Sequence, residues 1–143
     1  MHYLDYQQFN SPEGWYVLAF PEYWMVEVIE GIPAFYDPEG GGALVVSAFK
    51  NVVGHFDLKL EMKRFLENHK VKYEKDKVAY FRNKQDCEIQ ACEFISSKRF
   101  WLVYMIGFEN KLLVCTYNSD EVPDRELSGI LTAIISSITF SQQ

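Results

Sequence analysis

The chain reads as an α+β fold, a twisted antiparallel β-sheet with helices on both faces (an α/β/α sandwich). Three observations predict it. Strand-like segments follow one another through connections too short for parallel crossovers. Two later stretches switch to the helical period. One strand, Phe100-Trp101-Leu102-Val103-Tyr104-Met105-Ile106, is apolar on both faces. An antiparallel strand with one wet face alternates polar and apolar residues, so this one needs cover on both sides, and two helices are available to give it.

The elements follow in order. Gly14–Phe20 is rich in aromatic and β-branched residues and ends at Pro21. Trp24–Ile29 is a second strand, with Glu27 between Val26 and Val28 marking its solvated face. Glu30-Gly31 makes a turn into a short third strand, Pro33–Tyr36. Asp37-Pro38-Glu39-Gly40-Gly41-Gly42 is a loop by composition, read as a mobile hairpin loop, and Ala43–Phe49 is the fourth strand. Each is expected to lie beside its predecessor. The period then changes: Leu58, Met62, Phe65, Leu66 and His69 form one apolar stripe behind the candidate N-cap Asp57. After the charged connection Lys70–Lys77 come Lys77–Arg82, Glu88–Ser96, Arg99–Phe108 and Lys111–Asn118, the last two joined at Glu109-Asn110 as a hairpin. A second helix carries Leu127, Ile130, Leu131, Ile134, Ile135 and Ile138, with Pro123 in its first turn. Gly129 lies within that helix and is read as permitting close packing on a sheet.

A chain of 143 residues is one domain by size, and it buries enough surface to need no disulfide or metal. Charge is distributed unevenly. The first 49 residues hold no lysine or arginine but seven acids (Asp5, Glu13, Glu22, Glu27, Glu30, Asp37, Glu39) and eleven of 23 aromatic residues. From Lys50 onward, 14 bases face 13 acids, so the net charge of −6 resides in the first third. Such a segment disfavours nucleic acid and favours a basic protein surface. No secretory signal stands at Met1-His2-Tyr3-Leu4-Asp5-Tyr6, and no apolar run spans a bilayer. Cys87, Cys92 and Cys115 form an odd, unpatterned set, which fits reduced thiols in a cytoplasm.

The element order, four strands, a helix, four strands and a closing helix, resembles the PsbP-like (Mog/PsbP) superfamily, which includes uncharacterised bacterial families. Local echoes are Phe9-Asn10-Ser11-Pro12-Glu13-Gly14-Trp15, then Pro21-Glu22-Tyr23-Trp24, and the closing Ile134-Ile135-Ser136-Ser137-Ile138-Thr139-Phe140. The superfamily has no shared catalytic motif, and its members mostly bind other proteins. The resemblance therefore implies a non-enzymatic adaptor.

Several chemistries lack their residues. His2, His55 and His69 lie far apart, and Cys87 and Cys92, five positions apart, fall on opposite faces of a regular strand. Neither set suggests a metal, and no cofactor is expected. Cys115 lies in an apolar strand, where desolvation blunts a thiol. The triglycine precedes a strand and no Lys or Ser/Thr directly follows it, unlike a phosphate cradle. Paired acids can hydrolyse glycosides, yet spacing alone does not bring two into one cleft.

Two functions remain. The first is a protein-binding domain of adaptor or immunity type, its contact residues Glu22, Tyr23, Trp24, Glu27, Tyr36 and Glu39, with a basic partner surface favoured. The alternative is a small carboxylate-dependent hydrolase or small-ligand carrier with a cleft in the same region. A deep pocket with converging acids favours the second. A shallow acidic face with exposed aromatics favours the first, unless later lysines fold over it.

Overall fold

The computed structural model of the chain describes residues 5–141. Met1–Leu4, the greater part of the segment read for a secretory signal and including His2, lie outside the described residues. So do the final two residues.

Ten strands and two α-helices are present among the described residues: β1 Tyr6–Asn10, β2 Tyr16–Pro21, β3 Met25–Ile29, β4 Ile32–Tyr36, β5 Ala43–Lys50, α1 Leu58–Asn68, β6 Val78–Arg82, β7 Glu88–Ser96, β8 Arg99–Phe108, β9 Lys111–Ser119, α2 Arg125–Ser136 and β10 Thr139–Phe140. A 3-10 turn at Lys75–Lys77 occupies the charged connection. The strands form two antiparallel sheets, β1-β2-β10 and β3-β4-β5-β9-β8-β7-β6. The single sheet expected from sequence is thereby corrected. β2 does not lie beside β3. It lies between β1 and β10, and its buried side chains Tyr16, Leu18 and Phe20 join the core that holds Phe35 and Leu44. Phe20 meets Phe35 with ring centroids 5.0 Å apart, and Phe9 of β1 meets the same ring at 5.1 Å. Alternation requires only that one face of a strand be covered, and stacking on another sheet satisfies that as well as lateral pairing does.

Turn chemistry accounts for the strand order. Ser11 Oγ accepts the N–H groups of Trp15 (2.9 Å) and Tyr16 (3.2 Å) and so closes the β1–β2 connection, where Gly14 has φ +78°. Glu30-Gly31 and Ser97-Lys98 have both central φ values positive, the two-residue hairpin geometry that matches strand twist. Asp57 accepts from Leu60 N–H at 3.2 Å at the start of α1. Asp124 does the same for α2, accepting from Leu127 N–H at 2.8 Å, so Pro123 stands just ahead of that helix instead of within its first turn.

The core falls into two parts. Leu58, Met62 and Leu66 of α1 pack with Cys92, Val103, Met105 and Leu112. Ile130, Leu131, Ile134 and Ile135 of α2 pack with Tyr16, Leu18, Leu102, Tyr104, Ile106 and Cys115. Successive residues of β8 thus enter different halves of the core, as its doubly apolar sequence requires. Cys87 and Cys92 also fall into different halves. All three cysteines are free and buried.

Candidate functional site

The β3–β4 hairpin ends the larger sheet, whereas α1 lies over β7 and β8 in its other half. Directly paired residues of an antiparallel ladder share a face, so Met25, Glu27 and Ile29 stand beside Tyr36, Ala34 and Ile32. That face is open. Met25 is 51% exposed and Ile29 66%, and Glu27 is exposed between them. On the opposite face Val26 packs partly against the core, but Val28 near the tip is exposed. The sequence reading took Glu27 to mark a solvated face. It missed that Met25 and Ile29, two positions either side, must share that face.

The six residues predicted from sequence divide. Glu22, Glu27 and Glu39 are exposed. Tyr23 is 45% exposed. Tyr36 is half-buried, and its hydroxyl donates to Glu27 Oε1 at 3.1 Å; that bond raises the phenol pKa because it favours the protonated form. Trp24 is 2% exposed, which corrects its expected place at the surface. The Pro21–Trp24 turn, closed by Trp24 N–H to Pro21 C=O at 3.0 Å, draws the indole into the core. Its Nε1 has no hydrogen-bond partner among the described residues.

The described carboxylates of this third form no ion pair with a described residue. The ion pairs among the described residues are Arg64–Glu61, Lys77–Glu74, Arg82–Asp86 and Arg99–Asp120. None uses an acid from the first 49 residues.

Beside the hairpin lies a cleft of about 580 Å³, bounded by Tyr23, Trp24, Asp37, the triglycine, Arg99, Tyr117 and the approach to α2. The triglycine is anchored at its last residue. Gly42 N–H donates to the Tyr117 hydroxyl at 3.0 Å, and a Cβ on Gly42 would stand 1.9 Å from the carbonyl oxygen of Asn118. Only glycine permits that approach of two backbones. Much of the cleft's charge is engaged in structure. Asp37 Oδ1 accepts from Glu39 N–H at 2.9 Å, Asp124 caps α2, and Arg99 binds both Asp120 and, through Nε at 2.9 Å, Asn118 Oδ1. Glu121 and Glu126 line the cleft in no ion pair among the described residues. These acids come from segments far along the chain from the hairpin, which ends at Tyr36, so no local pattern could have joined them to it. Among the described residues no three His, Cys, Asp or Glu side chains converge as a metal set, and no helix is long and apolar enough to cross a membrane.

Solved structures on which the chain superposes include the following two. One is a protein of Bacteroides thetaiotaomicron VPI-5482, with TM-score 0.69 and 17% identity, covering 96% of this chain and 49% of that one. The chain thus spans about half the length of that protein. The other is the cyanobacterial PsbP (CyanoP) of Synechocystis sp. PCC 6803, with TM-score 0.66 and 12% identity, covering 99% of this chain and 95% of that one. At such identities the likeness is one of fold, and it bears out the PsbP-like architecture read from the element order. No curated protein matches the chain at a significant level. A family described as "Domain of unknown function (DUF3805)" matches residues 4–143, and the chain belongs to that family.

Proposed function

We propose that this chain is a non-enzymatic protein-binding domain, of adaptor or immunity type, that takes a basic partner through its acidic, aromatic N-terminal third. The observation that carries the reading is the open face of the β3–β4 hairpin, where exposed Met25, Ile29 and Ile32 surround Glu27. No lysine or arginine in the first 49 residues is available to neutralise it. Exposed apolar groups rimmed by like charge mark interaction surfaces; carboxylates steer a basic partner in, and the apolar groups supply desolvated contact. Glu22, Tyr23, Tyr36 and Glu39 belong to this surface, and Trp24 supports it from beneath. The division of the core supports a layered molecule with one helix to each side of the larger sheet, a frame that holds the hairpin clear at one end. Three unpaired thiols support a reducing compartment, the cytoplasm.

The test is affinity capture from the cells that encode the protein, with the wild type and a Glu22→Lys/Glu27→Lys/Glu39→Lys variant compared at low and high salt. The expected result is a basic protein retained by the wild type and held at least about tenfold more weakly by the variant at low salt, with the gap closing as salt screens the charges. Equal retention by both chains at low salt would refute the reading.

A second reading has one observation in its favour, the cleft of about 580 Å³ with Glu121 and Glu126 in its lining. Its size suits a small ligand and its charge suits a cationic one, which makes it the place to seek a carrier or hydrolase activity. Binding of a small diamine that is abolished by Glu121→Gln/Glu126→Gln would support this alternative.

A further inference from the structure

The edge of the larger sheet formed by β3 carries a hydrogen-bonding pattern that no described residue completes. In a two-residue hairpin the closing pair, here Ile29↔Ile32, exchanges hydrogen bonds, and along an antiparallel ladder such pairs alternate with unbonded ones. Glu27↔Ala34 and Met25↔Tyr36 are therefore bonded pairs, whereas Val28↔Pro33 and Val26↔Phe35 are not. Pro33, lacking an N–H, stands where the ladder needs none from it. It follows that Val26 and Val28 turn both N–H and C=O away from β4, toward the open edge. None of these groups is engaged elsewhere among the turn, loop and cap bonds of the described residues.

Sheet edges are ordinarily guarded by lysine, proline or a bulge. The opposite edge, β6, follows this rule: it lies between Lys77 and Lys84 and carries Arg82. β3 carries no base and no proline, and its one charge is Glu27. We infer that β3 is a docking edge for an extended basic segment of another protein, which adds to the larger sheet as an eighth strand with a lysine or arginine beside Glu27 and apolar residues beside Val26 and Val28. The inference rests on the reading of the hairpin as a protein-binding surface, and it names how the partner binds. Strand addition of this kind draws affinity from backbone bonds and selectivity from alternate side chains. Lysine stems on the Glu27 side would lie over Met25 and Ile29 with their ammonium groups toward the carboxylates. A second copy of this chain fits the same edge less well, because antiparallel pairing of two β3 strands over their full length sets Glu27 against its own copy, and like charges directly across a ladder repel.

The probe is a short, terminally blocked synthetic peptide alternating lysine and valine, added to the full chain labelled with nitrogen-15. One control peptide is N-methylated at alternate residues so that it cannot bond to an edge; another has glutamate in place of lysine. The expected result is that the lysine peptide slows hydrogen exchange at the Val26 and Val28 amides and that neither control does. Val28→Pro removes one outward donor and leaves the β3–β4 bonds in place. It is expected to weaken binding about tenfold, the factor that one net hydrogen bond supplies, while Glu27 and Ile29 amides keep their protection. If the lysine peptide and its N-methylated twin bind alike, strand addition is refuted and a purely electrostatic partner surface remains. If the lysine peptide does not bind at low salt while the wild-type chain still captures a basic protein, the edge is not the docking element. Self-association of the free chain through β3 would refute the choice of occupant.

Discussion

At Gly42 a missing Cβ decides where the loop between β4 and β5 lies. The backbone there passes so close to the carbonyl of Asn118 that alanine would place its methyl 1.9 Å from that oxygen, and a main-chain atom of a paired strand cannot move aside as a flexible side chain can. Gly42→Ala is therefore expected to lift the loop away from β9, break the Gly42–Tyr117 hydrogen bond and cost about 1–3 kcal/mol, read from the midpoint of urea unfolding. An unchanged midpoint would show that the loop has freedom that this geometry denies it. Ser137 acts the other way, by what it adds. Its hydroxyl accepts from Ala19 N–H at 2.8 Å and donates to Ile134 C=O at 2.6 Å, which ties the end of α2 to β2. The sequence alone could not assign this structural task, because the partner of Ser137 lies 118 positions away.

Within α2 the sequence and the structure disagree instructively. Gly129 was expected to admit a close neighbour, yet a Cβ there would meet nothing within 4 Å and the residue is exposed. Its absence of side chain serves no packing purpose that the structure reveals. Gly129→Ala then changes helix propensity alone, and it is expected to stabilise the protein by about 1 kcal/mol, a rise of about 3 °C in Tm by calorimetry; a fall would mean that the helix face is covered by something. The close approach instead occurs at Gly107 in β8, where a Cβ would stand 2.7 Å from Leu58 Cδ1. The remaining elements were legible to differing degrees. β7 and β8 start and stop where their sequences indicated, since turn residues bound them and their apolar runs leave little choice of register. β1 and β10 were not seen: the first shows mostly exposed residues and the second is two residues long, paired to β2 and braced by Gln85, which both donates to and accepts from the Phe140 backbone. The open hairpin face was half legible, because parity places Met25 and Ile29 beside Glu27 while only the assembled sheet reveals that α1 lies elsewhere. Trp24 was misplaced although parity alone sets it opposite Glu27, on the face that Val26 turns to the core.

Across the whole molecule the ion pairs of the described residues join later segments to one another: three link residues three or four positions apart, and the fourth links Arg99 with Asp120. Core chemistry sets a second global property, the response to alkali. Cys115 is wholly buried, and burial pushes its thiol well above the ordinary value of 9.0; burial raises Cys87 and Cys92 as well. In the unfolded chain these thiols ionise near their ordinary value. As pH rises past it, the unfolded state gives up protons that the folded state retains, so the unfolding free energy falls. The stability in question is fully present below the unfolded pKa and is lost as pH climbs toward the raised folded values, by up to about a tenfold change in the folding equilibrium per pH unit for each thiol. Burial raises Tyr16 and Tyr104 too, and their ordinary value of 10.0 places their share at still higher pH. Urea midpoints taken from about pH 7 to about pH 10.5 are expected to hold level at first and then descend. Cys115→Ala, although less stable throughout because of the cavity it leaves, is expected to descend less steeply. A wild-type curve that stays flat across that range, or a variant curve parallel to it, would mean that the Cys115 thiol ionises in the folded protein nearly as readily as in the unfolded one.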